Sequence, residues 1–244
     1  MLSTVFIIPM AGSSSRFKSA GYDKPKFMLE AHGKTLFELS VGSFKDFFQS
    51  NRFIFICRQT HAAVDFIEEK SRELGILNFQ IVELEYETNG QAETVLIGLN
   101  KLNLADNSPL VIFNIDTIRK NFRFLESFTY VDGYLEVFNG EGDHWSFVEQ
   151  LSDTNRVLRT TEKERISEWC SNGFYYFRSF GLFKSAFGNL SKTGAGAKKE
   201  FYVAPMYNFL IKLGKDVRFE VVDIADLVFC GIPEEYIEFI NSES

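Results

Sequence analysis

Apolar residues recur along this chain in two alternating rhythms. "TVFIIPM" (4–10), "RFIFIC" (52–57), "FQIVEL" (79–84) and "PLVIFNID" (109–116) are short apolar runs rich in Val, Ile and Phe, the composition of strands buried on both faces. Between them lie stretches whose apolar positions return every three to four residues: "TLFELSVGSFKDFFQ" (35–49), "HAAVDFIEEKSREL" (61–74) and "QAETVLIGLNKL" (91–102). The last strand run ends on an acid, Asp116. Strands alternating with amphipathic helices predict βαβ units and a mainly parallel sheet.

Beyond about residue 120 the pattern changes. "DGYLEVFN" (132–139), "WSFVEQL" (145–151), "RVLRTTEK" (156–163) and "GFYYFR" (173–178) read as strands, and "SDTN" (152–155) as a hairpin turn. "SFGLFKSAFGNL" (179–190) predicts a helix, and "SKTGAGAKK" (191–199) a mobile loop. "APMYNFLIKLG" (204–214) predicts a helix with Pro205 near its first turn, where a missing N–H costs least. A strand over 216–222 and a helix over 233–241 close the chain. No internal repeat or linker is visible. The expectation is an α/β fold of one domain over 1–244, with a nucleotide-binding half (1–120) and an acceptor half (121–244) on one sheet.

The chain has 244 residues and a net charge of −7, a balance unsuited to broad nucleic-acid binding. No apolar run reaches the roughly eighteen residues of a membrane span, and the N-terminus lacks the basic start of a secretory signal. Cys57, Cys170 and Cys230 are widely spaced and flanked by apolar residues, as buried reduced thiols would be. These features point to a cytoplasmic protein without membrane partners, and they leave homo-oligomerisation open.

Residues 1–34 run against the overall charge. Arg16, Lys18, Lys24, Lys26 and Lys34 outnumber Asp23 and Glu30, a local net of +3 that suits a small anionic ligand. Seventeen residues, Met10 to Lys26, separate the first strand from the next apolar rhythm, and a connection so long is commonly functional. Ligands of open α/β sheets bind at the carboxyl ends of strands, where this loop lies. Gly12 permits close backbone approach, while Ser13, Ser14 and Ser15 bring small side chains and N–H donors that can cradle phosphate. Arg16 offers a bidentate fork and Lys26 a compact charge. The sequence has neither G-x-G-x-x-G nor the Walker pattern.

"IPMAGSSSR" followed by "DKPKFML" resembles the signature of nucleotidyltransferases of the sugar-nucleotide pyrophosphorylase and cytidylyltransferase type. "NGQAETVL", "FNID", "WSFV", "EK" (162–163), "SNGFYYF", "KEFYVAPMYN" and "GIPEEY" follow in the family's order, so the resemblance covers nearly the whole chain. It implies a Rossmann-like, GT-A-like three-layer αβα sandwich with a mixed, mainly parallel sheet. It also implies attack of a phosphate monoester on the α-phosphorus of a nucleoside triphosphate, releasing pyrophosphate. Arg16 and Lys26 would be catalytic. Ala11, Gly12, Ser13, Ser14, Ser15, Gln91 and Asn114 would bind the nucleotide, and Asp116 would hold Mg²⁺. Trp145, Glu162, Lys163, Asn172, Gly173, Glu200 and Tyr202 would bind the acceptor, with Asn208 on the same segment. Gln91 alone does not decide the base, since its amide can present either edge, so CTP and a thymidine or uridine triphosphate all stay open; the form "MAGSSSRF" leans toward CTP and surface-polysaccharide precursors.

Three departures from the pattern matter. Serines replace glycines of the phosphate loop, tolerable if φ stays negative. Phe229 stands where many relatives have a second metal-binding aspartate, leaving Asp116 with phosphate oxygens alone or with Asp223 or Asp226. Ala204–Pro205 makes a non-sugar phosphate acceptor credible. A glycosyltransferase and a nucleotide sensor without turnover are the competing functions. The first would usually show D-x-D, where this chain has Asn114; the second draws only on the lost acid.

Overall fold

The computed structural model describes residues 3–124, 130–193 and 200–242. Its elements follow the chain as β1 (Val5–Pro9), α1 (Ser15–Ser19), β2 (Glu30–Ala31), β3 (Lys34–Thr35), α2 (Leu36–Gly42), β4 (Arg52–Arg58), α3 (Val64–Glu73), β5 (Asn78–Leu84) and α4 (Gln91–Lys101). There follow β6 (Leu110–Phe113), β7 (Thr117–Arg119), β8 (Gly133–Asn139), β9 (Ser146–Gln150), β10 (Val157–Glu162), β11 (Trp169–Phe177) and α5 (Phe180–Thr193). The chain closes with α6 (Tyr207–Lys212), β12 (Val217–Val221), β13 (Leu227–Phe229) and α7 (Pro233–Asn241).

β1 lies between β4 and β6, parallel to both, and β5 extends the parallel part beyond β4. β11 joins antiparallel to β6, so one sheet runs through both halves of the sequence. On its other edge β11 pairs with β8, which takes β12 in parallel. β9 and β10 form the expected antiparallel hairpin. Alternation along β1 shows why the sheet is covered twice. Val5 and Ile7 pack with Val95 and Leu99 of α4 and Phe183 of α5. Phe6 and Ile8 face Phe37 and Val41 of α2 and Ile67 of α3. This is the expected three-layer α/β architecture.

Local chemistry sets several boundaries. Thr35 caps α2 in a reciprocal box: its hydroxyl accepts from Glu38 N–H at 3.2 Å, and the Glu38 carboxylate accepts from Thr35 N–H at 2.8 Å. α2 is shorter than its apolar period, and Lys45–Phe47 turn separately. The 61–74 helix begins later than expected, at Val64. Pro205 sits in a 3₁₀ turn that leads into α6. Of the loop expected over 191–199, residues 191–193 continue α5 and the rest lie outside the described residues. No helix among the described residues is long and apolar enough to cross a membrane. All three cysteines are buried and free.

β11 carries the irregularity that shapes the site. Ser171 pairs with Val137 and Tyr175 with Leu135, so Asn172, Gly173 and Phe174 together face Glu136. At this bulge β11 also changes its other neighbour, from β9 at Trp169–Cys170 to β6 at Phe174–Phe177. A gap therefore opens beyond the end of β6.

Candidate active site

A cleft of about 520 Å³ lies over the carboxyl ends of β1 and β6. The segment after β1 forms one rim. It is more ordered than a bare loop, because Ser15–Ser19 form α1, with Phe17 buried as its anchor. Phe17 packs edge-on against Tyr22 and Tyr236, which ties the loop to α7. Ser14 corrects the expectation of negative φ: it sits at φ 51°, in the left-handed region. Its hydroxyl accepts a hydrogen bond from Lys26 N–H at 3.3 Å, holding the two ends of the loop together. Gly12 is exposed, and a Cβ added to it would meet nothing within 4 Å, so the backbone there is open to a ligand.

Ala11, Gly12, Ser13, Ser14, Ser15, Arg16 and Lys26 all line the cleft. Arg16 is exposed and makes no ion pair among the described residues. Lys26 reaches across the cleft, placing Nζ 2.5 Å from Asp116 Oδ2. Asp116 lies just beyond β6, where the chain turns into β7, and Cys230 N–H donates to its carbonyl at 2.8 Å. The second wall is the start of α4. Gln91, its first residue, donates from Nε2 to Asn114 Oδ1 at 2.5 Å. Gly90 precedes it at φ 109°, packed against the Phe201 backbone so closely that a Cβ would approach Phe201 N to 2.7 Å.

The far end is built from the second half of the chain. Trp145, Glu162, Asn172, Gly173, Glu200 and Tyr202 line it. Glu162 is half-buried, and burial raises its carboxyl pKa against the opposing hydrogen bond from Ser146 and the charge of Lys163. Trp145 packs on Phe138 and on Phe229, at 5.1 and 4.7 Å between ring centroids. Gly173, at φ 90°, lies where a Cβ would come within 2.4 Å of Asn114 Nδ2.

Some of the expected residues sit differently. Lys163 lies outside the cleft lining. Its Nζ bonds Tyr202 Oη at 2.5 Å and lies 3.7 Å from the Glu200 carboxylate. Asn172 reaches the wall, yet its amide is committed inward: Nδ2 donates to Glu136 and Oδ1 accepts from Phe174 N–H. Asn208 braces the edge of β10, accepting from Thr160 N–H and donating to Thr160 O. Asp223 and Asp226, the alternative sources of a second carboxylate, do not line the cleft. Asp223 caps a turn through Ala225 N–H, and Asp226 pairs with Arg119 and Asn121. Among the described residues no three of His, Cys, Asp and Glu cluster to hold a metal.

Several lining residues escaped the sequence reading. Ser146 and Tyr175 flank Glu162, while Glu87 and Thr88 extend the Gln91 wall. Arg58, at the end of β4, pairs with Glu87 at 3.3 Å. Glu235 also lines the cleft, its carboxylate accepting from Gly231 and Ile232 N–H at the start of α7. Its only sequence signal was its place in "GIPEEY", three residues into a helix that opens with Pro.

No family model matches the sequence, and no curated protein matches it. Among solved structures, a nucleoside-diphosphate-sugar pyrophosphorylase from Vibrio cholerae RC9 is 43% identical and superposes with a TM-score of 0.92, over 97% of this chain and 100% of that one. An inositol-1-phosphate CTP transferase from T. maritima shares the fold at 15% identity and a TM-score of 0.73, over 96% and 92% of the two chains. A UDP-glucose pyrophosphorylase from Acinetobacter baumanii does so at 13% and 0.74, over 98% and 92%.

Proposed function

The chain belongs to the nucleotidyltransferase family of the nucleoside-diphosphate-sugar pyrophosphorylases, and we propose that it couples a nucleoside triphosphate to a small phosphate monoester with release of pyrophosphate. The observation that carries this reading is the meeting of Lys26 from the first loop with Asp116 beyond β6, in one cleft with Arg16 and Gln91. We take the two halves to work as one unit, because the acceptor wall and the nucleotide wall share β11 and β6.

In this reading an oxygen of the acceptor phosphate forms a bond to the α-phosphorus. The bond to the bridging oxygen breaks, and pyrophosphate leaves with that electron pair. Both reactants are anions, so charge compensation and in-line placement carry the catalysis. The backbone of Gly12–Ser15 cradles the triphosphate and Arg16 grips its β- and γ-phosphates. Lys26 meets the α-phosphate, where negative charge shifts in the transition state. Gln91 reads the base, with its amide oriented by Asn114.

Asp116 is one hard oxygen donor, and Mg²⁺ is commonly bound by one or two carboxylates together with waters and substrate phosphates. The donor present therefore fits an ion that enters with the triphosphate, with Asp116 as its protein ligand. When bound, the ion would screen the phosphates and withdraw electron density from them. Phe229 packs in the aromatic cluster with Phe138 and Trp145 instead of adding a second carboxylate.

The acceptor end carries Glu162 and Glu200, with no Lys or Arg lining it among the described residues. The Glu162 carboxylate, bonded by the Ser146 hydroxyl, favours an acceptor whose body offers hydroxyl or amine donors. CTP is our proposed donor and a surface-polysaccharide precursor the proposed product, on the resemblance of the first loop to cytidylyltransferases, and cytoplasm is the proposed compartment, on the three free, buried cysteines. The test is pyrophosphate release with Mg²⁺, each common triphosphate and a panel of sugar-1-phosphates and non-sugar phosphates. Release with one pair supports the reading and names both substrates. Triphosphate binding with silence across the panel favours a sensor, and no triphosphate binding overturns the reading.

A further inference from the structure

β8 is apolar on both sides of one residue. Tyr134, Leu135, Val137 and Phe138 are buried as expected of a central strand, and Glu136 between them is buried as well, at 2% exposure. Burial pushes its carboxyl pKa up, in opposition to Arg119 and Asn172. Its cross-strand neighbour on β12 is another acid, Glu220. Core stability gives no reason for a carboxylate here, since an apolar residue of similar volume often serves a buried position as well as an ion pair does.

What Glu136 touches suggests another reason. Its Oε2 accepts from Arg119 Nε at 3.0 Å and from Asn172 Nδ2 at 2.7 Å. Arg119 lies on β7, three residues after Asp116, and its Nη1 reaches Asp226 at 3.4 Å, just before β13. Asn172 opens the β11 bulge, and Gly173 O receives Asn114 N–H at 3.3 Å. Asn114 in turn receives Gln91. One buried carboxylate thus connects the strand pair carrying Phe229 with the bulge under the acceptor wall.

We propose that Glu136 is a positioning residue that sets the Asn172–Gly173 bulge, and through it the placement of the acceptor relative to the bound nucleotide. Glu136 touches neither substrate. It acts by holding the Asn172 amide in one orientation, with Nδ2 toward Oε2 and Oδ1 toward Phe174 N–H. The kinetic part of this inference rests on the nucleotidyltransferase reading, and the geometric part does not.

Reversing the polarity of the Glu136–Asn172 contact tests it. Asn172→Asp sets two carboxylates against each other, whereas in Glu136→Gln/Asn172→Asp the new Gln amide can donate to the new Asp, which still accepts from Phe174 N–H. Acceptor KM should rise about tenfold or more in Asn172→Asp and return to within about threefold of wild type in the double variant, with triphosphate Kd unchanged throughout. A merely structural role would weaken triphosphate binding and acceptor binding together, and that result overturns the proposal, as does a double variant no better than the single one.

Hydrogen exchange reads the same contact without turnover. Backbone amides of 171–175 should exchange faster in Asn172→Asp and recover in the double variant, with α2 and α4 unaffected. Exchange unchanged at the bulge, or accelerated equally everywhere, overturns the inference. Absence of turnover in the wild-type protein would count against the enzymatic reading, while exchange at the bulge would still decide the role of Glu136.

Discussion

Lys26 and Asp116 are ninety positions apart in sequence and meet at 2.5 Å in the structure. Each is only partly exposed, at 21% and 23% of the side chain, so the pair sits at the cleft wall and is not a solvated surface contact. The contact holds an ammonium and a carboxylate together on the cleft wall, and in the proposed reaction the ammonium would offset the repulsion between this acid and a bound triphosphate.

Removing Lys26 should therefore affect the chemical step more than the fold. Lys26→Ala is expected to lower the rate of pyrophosphate release about 10²–10³-fold, the usual effect of removing one donor from a charge-stabilising site. Single-turnover kinetics with saturating triphosphate measures this directly. A loss confined to KM, at unchanged maximal rate, would count against contact with the α-phosphate.

Gly173 is constrained twice, by its φ of 90° and by Asn114 at the position a Cβ would occupy. Gly173→Ala should destabilise the protein by about 1–3 kcal/mol, the range of overpacking in a closed site. In a chain of this size, each kcal/mol corresponds to about 2–4 °C in Tm. Thermal unfolding checks the expectation, and an unchanged midpoint would mean that the bulge relaxes freely.

Glu162 gives a pH dependence of definite sign. Its folded pKa is raised by burial, while the unfolded carboxyl titrates near 4.3. Between about 4.3 and the folded value the native state holds a proton that the unfolded state has released. Stability from this group thus falls as pH rises through that window, and is level above it. Urea midpoints across the acid-to-neutral range should show wild type losing ground to Glu162→Gln as pH rises. The opposite trend would show that the carboxylate has a cationic partner in solution.

Thr35 offers a test far from the chemistry. Thr35→Ala removes the hydroxyl that caps α2 and should cost about 1 kcal/mol, within the range of about 0.5–2 for such caps. The loss should appear as a lower urea midpoint with an unchanged slope, because the unfolded state is the same. A change in slope would indicate that α2 frays instead of remaining folded.

The layers of the fold were legible because period carries burial. Val5, Ile7 and Phe6, Ile8 alternate within one continuous apolar run, and only a strand covered on both faces buries all four. The 3.6-residue rhythm of 91–102 similarly places Ala92, Val95 and Leu99 on the sheet side of α4. The helix within the first loop was less visible, since five residues of α1 hold a single buried apolar side chain, Phe17. No period can be read from one position.

Residue type and spacing thus sufficed to single out Arg16 and Lys26 as cations of one loop and Asp116 as an acid at a strand end, and the structure brings all three to one cleft. Which side chains share the cleft was decided by tertiary structure alone. Asn172 lines the cleft as expected of it, while its amide bonds a carboxylate thirty-six positions away. Lys163 neighbours Glu162 in sequence, yet at φ 54° its backbone turns out of the strand and its ammonium goes to Tyr202. Asp226 is eligible as a metal ligand by residue type, but Arg119 lies beside it and takes its charge. A buried polar group must find its partner wherever the chain brings one, and those meetings depend on strand register and on the β11 bulge, neither of which a linear pattern of residues encodes.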